Sequence, residues 1–124
     1  MLKTDISKYF FYHNYILMPD SSLWPKTIDD AIERIISGMS EEEKSELRNT
    51  HERELINFHF GLGWVIRNEF GLYQGNDALL KACARTRLNA FEKLLFMNDP
   101  DEASGFIIEE VWKQLNSVTQ LMSH

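Results

Sequence analysis

The chain predicts an all-α fold, a compact bundle of five to six helices around a central hydrophobic helix at about residues 51–70. Three observations carry this. Apolar residues recur every three to four positions in several stretches, as helices with one buried face require. Helix-start residues precede those stretches at Thr27, Ser40, Asn76 and Asp99. Period-two alternation bounded by hairpin turns is missing, as are internal repeats and long linkers, so residues 1–124 read as a single all-helical domain.

The stretch ELINFHFGLGWVIRNEFGLY, Glu54 to Tyr73, organises the rest. On a helical wheel Leu55, Phe58, His59, Leu62, Ile66 and Phe70 share one face, while Ile56, Phe60, Trp64 and Val65 spread apolar surface around the flanks. A helix apolar nearly all round belongs inside a fold. Gly61 and Gly63 interrupt it, at a cost of roughly 0.5–1 kcal/mol each against Ala, which points to a bend or to the close approach of another backbone. Arg67 suits the negative end of the helix dipole, and Gly71 can take the left-handed conformation that stops the helix.

From the N-terminus, Ile6 to Met18 fits either a short helix or an extended segment, with helix preferred. Pro19 to Pro25 reads as a loop. Thr27 caps a helix whose first turn carries Asp29 and Asp30 and whose apolar side is Ile28, Ala31, Ile32, Ile35, Ile36 and Met39. Ser40 and Glu43 form a capping box for a polar, exposed helix that breaks near Asn49 and Thr50. Beyond Gly75, Asn76 caps either one long helix or two halves meeting near Arg85 to Arg87, with Leu79, Leu80, Cys83, Leu88, Phe91, Leu94 and Leu95 as its apolar stripe. The last helix has Asp99 as cap, Pro100 in its first position and Ile107, Ile108, Val111, Trp112, Leu115, Val118 and Met122 as its buried side.

With 124 residues the chain buries about two-thirds of its unfolded surface, and 44% hydrophobic content is that of a globular protein. A formal charge of −6, from 19 acidic and 13 basic residues, argues against a nucleic-acid partner. It fits a solvated cytoplasmic protein or one with a basic partner. The single cysteine, Cys83, excludes an intrachain disulfide and a cysteine-rich metal site, and fits a reducing compartment. The first twenty residues lack the uninterrupted apolar run and small-residue cleavage site of a secretory signal, and no stretch has eighteen consecutive apolar residues, so neither a leader nor a membrane span is expected.

Few residues carry recognisable chemistry. His51 and His59 lack the spacing of a zinc helix, and no metal or cofactor is expected. His59 lies inside the apolar stripe, where a hydrogen-bonded core histidine is the ordinary outcome and a ligand or base the rarer one. Neither a phosphate-binding glycine loop nor a nucleophile elbow is present, so no catalytic residue is assigned. Arg67 and Asn68 form the polar pair of most interest. The Arg67 stem lies along apolar surface, and its guanidinium requires an acceptor. One reading is a structural bridge from Arg67 to Asp101 or Asp99, and the other a binding pocket lined by His59, Arg67, Asn68, Tyr73, Asp101 and Ser104. Glu41, Glu42, Glu43 and Glu46 read as a solvated helix face that would also draw a basic partner, and Trp64 as a core residue or an interface anchor.

The segments TIDDAIERI, HFGLGWVIRNEFGLYQGN and NDPDEAS resemble a small bacterial all-helical domain family of unknown function, over roughly Trp24 to Leu115. The resemblance rests on His59, Arg67, Asn68, Gly71, Asn76, Asp101 and Ser104, and it implies no activity. Where that pattern is closer to His-Pro-Asp, this chain has Asn98-Asp99-Pro100-Asp101.

Two functions follow as expectations. The first is a small acidic interaction module, most concretely an immunity protein or antitoxin that occludes a basic toxin domain through Glu41 to Glu46 and nearby aromatics. The second is a ligand-binding protein or enzyme that uses Arg67 to hold an anionic group and His59 or Asp101 to move protons.

Overall fold

Helix-start chemistry sets the first elements. In the computed structural model, which describes residues 21–97 and 99–122, the Thr27 hydroxyl accepts the Asp30 N–H at 3.1 Å and opens α1, Ile28–Gly38. Ala31 and Ile35 are fully buried, with Ile28, Ile32 and Ile36 packed beside them. Ser40 and Glu43 close a capping box at the head of α2, Glu41–Arg48: Glu43 N–H donates to Ser40 Oγ at 3.1 Å and Ser40 N–H to Glu43 Oε1 at 2.8 Å. The box turns Glu43 inward to 8% exposure, so this acid is a cap rather than part of an exposed face. The expectation for Ile6 to Met18 lies outside the described residues.

The segment expected as one regular helix changes pitch twice. It runs as a 3₁₀ helix over Glu52–Phe58, a π turn over His59–Gly63 and α3 over Trp64–Glu69. Tightening and then widening the turn rotates side chains away from where a uniform wheel puts them. Phe58, Leu62, Val65, Ile66 and Phe70 are buried, whereas Ile56 and Phe60 stand 70% and 63% exposed and Trp64 37%. The segment therefore has one dry side and one wet side, which corrects the expectation of burial all round.

Gly71, at φ +69°, ends α3, and the Leu72 N–H returns to the Arg67 carbonyl at 3.0 Å. A Cβ on Gly71 would overlap the Trp24 ring, so this glycine also seats the incoming chain. Asn76 then ties three segments together. Its Nδ2 donates to the carbonyls of Pro25 (2.9 Å) and Phe70 (2.8 Å), and its Oδ1 accepts the Leu79 N–H (3.3 Å) at the start of α4, Asp77–Ala84.

Of the two arrangements open beyond Asn76, the structure has two helices. The chain turns between α4 and α5, Ala90–Met97, and Asn89 Oδ1 caps α5 by accepting the Glu92 N–H at 2.8 Å. That break re-aims the expected stripe. Leu79, Leu80 and Cys83 are buried on α4, but Leu88, Phe91 and Leu94 are 94%, 70% and 57% exposed.

Asp99 Oδ1 accepts the N–H groups of Asp101 (3.0 Å) and Glu102 (3.2 Å) to open α6, Pro100–Met122. Ala103, Ile107, Ile108, Val111 and Leu115 form its buried side. This long helix packs against α1 to α5 and against the 3₁₀ and π turns, so it shares the centre of the fold with the 52–70 segment. It also finishes α2: Trp112 Nε1 donates to the Thr50 carbonyl (2.9 Å) and Asn116 Nδ2 to the Arg48 carbonyl (3.3 Å). The described residues contain six α-helices and no strand, and no helix among them is long and apolar enough to cross a membrane.

Candidate functional site

Arg67 stands in the last turn of α3, 6% exposed, with its guanidinium aimed at the N-terminal turns of α6. Gly63 clears its path, since a Cβ there would lie 2.9 Å from Nη1. Nη1 donates to Ser104 Oγ at 3.0 Å and Nη2 to the His59 carbonyl at 3.2 Å, while Nε pairs with Asp101 Oδ1 at 3.4 Å. Nη1 also lies 3.4 Å from His59 Nδ1. Ser104 passes the chain on, its hydroxyl donating to the Asp101 carbonyl at 3.0 Å.

Tyr73 completes the cluster from the outside. Its hydroxyl donates to Asp101 Oδ1 at 2.8 Å, and that hydrogen bond, more than burial, holds the phenol above its ordinary range. His59, Arg67, Tyr73, Asp101 and Ser104 are thus brought together from elements up to 45 residues apart, from His59 to Ser104. Asn68 is not part of the group. It is exposed, and its Nδ2 donates to the Trp64 carbonyl of its own helix at 2.8 Å. Of the two acids considered for the bridge, Asp101 makes it and Asp99 serves the helix cap.

A groove of about 460 Å³ opens beside the cluster, between the 3₁₀ turns and the first half of α6. His59 and Asp101 border it, but Arg67 does not. Its remaining walls were not singled out from the sequence. Glu52, Leu55 and Ile56 form one side, and Glu102, Phe106 and Glu109 the other. Arg87 reaches in from the turn after α4, its guanidinium carbon 5.1 Å from the Phe106 ring centroid. The spacing of Glu102, Phe106 and Glu109 on one face of α6 is a readable signal, whereas their meeting with Glu52 is a tertiary event.

The residues suggested as an interface lie elsewhere. Glu41 and Glu42 are exposed, Glu46 is half-buried and Glu43 is enclosed by its cap, and none of these acids nor Trp64 lines the groove. Glu41 pairs with Lys44 at 3.3 Å within α2. Cys83 is buried in α4, which pushes its thiol up to about 12. Among the described residues no cluster of His, Cys, Asp or Glu is arranged to hold a metal ion.

Neither a curated protein nor a solved structure matches the chain. A family model described as a domain of unknown function, DUF6794, matches residues 24–115, which span both the cluster and the groove. The chain belongs to the DUF6794 family.

Proposed function

We propose that this protein is a small acidic interaction module of bacterial, cytoplasmic origin, most concretely an immunity protein or antitoxin that binds and occludes a toxin domain. The observation that carries the reading is the apolar surface that the 52–64 segment leaves to water, where Ile56, Phe60 and Trp64 are 70%, 63% and 37% exposed. Isolated exposed apolar side chains are ordinary, but a branched aliphatic and two large aromatics on one segment resemble the apolar centre of a protein interface. The net charge of −6 favours a basic partner and speeds its encounter.

The ligand-binding alternative keeps the groove but loses its anion holder, because the Arg67 donors face Ser104, His59 and Asp101. Co-expression with the product of the adjacent gene in the native genome tests the proposal. The expected result is rescue from growth arrest together with a one-to-one complex on gel filtration. A chain that neither rescues nor co-elutes overturns it.

A further inference from the structure

We propose that the groove between the 3₁₀ turns and α6 is the anchor site for an arginine or lysine side chain of a protein partner. The floor is apolar: Ile108 is buried, and Leu55 and Phe106 are half-buried. The aliphatic stem of a long basic side chain lies favourably on such a surface. The rim decides what the head of that side chain must be. Glu52 and Glu102 are exposed beside the groove and Glu109 is half-buried on its wall, and none of the three has an ion-pair partner among the described residues. Asp101 adds a fourth carboxylate, already shared by Arg67 and Tyr73. Against these stands one guanidinium, Arg87, held over the Phe106 ring.

An anionic occupant would meet Glu52 on one wall and Glu102 and Glu109 on the other, and a neutral one would leave the half-buried Glu109 without a counter-charge. A cation on a long stem satisfies both floor and rim. Ile56, exposed at the edge of the groove, gives the flanking apolar contact that a free small cation would leave unused. The assignment rests on the interaction reading above and moves the anchor from the Glu41–Glu46 helix to this groove.

The probe is a fluorescein-labelled helical peptide with Arg and Leu at i, i+4 spacing, titrated with the full chain by anisotropy at about 0.15 M ionic strength. Glu52→Gln with Glu109→Gln is expected to weaken binding about tenfold or more, and Glu41→Gln with Glu42→Gln to leave it unchanged. Gly105→Leu gives a charge-free check. A Cβ at Gly105 meets nothing within 4 Å and Gly105 lines the groove, so the added side chain should fill it and block the peptide. Circular dichroism on each variant separates lost binding from lost fold. Absent binding by the wild-type chain overturns the groove assignment and leaves the interaction reading to the co-expression result. Loss through Glu41 and Glu42 instead, or displacement by spermine at equal potency, or a concentration-dependent dimer that the peptide dissolves, likewise overturns it.

Discussion

Arg67 shows how one side chain can bind three parts of a fold. Its guanidinium is buried among acceptors from the π turn and from α6, so removing it takes a donor from the Ser104 hydroxyl and the His59 carbonyl, while the half-exposed Asp101 carboxylate keeps the Tyr73 hydrogen bond. Arg67→Met should therefore cost about 2–3 kcal/mol in urea unfolding, and an unchanged midpoint would rule out the strut. Glu69, two residues on, makes a pH-dependent contribution. Burial raises its carboxyl from 4.5 to about 7. The folded state therefore holds a proton that the unfolded chain releases earlier, and the associated stability is present below about 4.5 and lost as pH rises through about 7. Glu69→Gln should raise the urea midpoint at pH 8, where the native carboxylate is ionised, and leave it nearly unmoved at pH 4, where both states are protonated. Arg67 was legible as a tethered cation because its position among apolar residues demands acceptors. The environment of Glu69 was not, since that depends on what packs over the end of α3.

At the scale of the element, three glycines separate by what surrounds them. Gly105 lies on the exposed side of α6 with nothing within 4 Å of where a Cβ would stand, so Gly105→Ala should stabilise by about 0.5–1 kcal/mol through helix propensity. Gly63 has Arg67 Nη1 2.9 Å from that position, and Gly63→Ala should destabilise by about 1–3 kcal/mol as the guanidinium is displaced. Gly71 combines φ +69° with a Trp24 ring that an added Cβ would overlap, so Gly71→Ala should be the worst of the three in the same thermal-melt series. A melt order other than Gly105, Gly63, Gly71 from most to least stable would show that these contacts do not govern the packing. The capping signals at Thr27, Ser40, Asn76 and Asp99 were readable because a cap acts within three residues of itself. The pitch changes over Glu52–Gly63 were not, because a wheel assumes a constant turn while the chain follows the space that Arg67 and α6 leave it. The exposure of Leu88, Phe91 and Leu94 has the same origin, a helix break that turns α5 after the apolar pattern is already set.

For the whole molecule, Cys83 offers a reporter of global opening. Its thiol is fully buried in the core cluster and pushed up to about 12, so at pH 8 it holds almost no thiolate for an exchange reagent to meet. Its reaction with a disulfide reagent should track the urea unfolding curve, and fast labelling of the native chain would mean that α4 opens locally. The all-helical class, the helix starts and most of the buried residues were determined by the sequence alone, because periodicity and capping are short-range physics. So was the need of Arg67 for an acid near the start of α6. Tertiary structure alone decided which acid, Asp101, and that Ile56 and Phe60 face water. It also decided that Glu52 and Glu109, 57 residues apart, face one groove. Those outcomes depend on how two irregular turns dock against a long helix, and no local pattern carries that geometry.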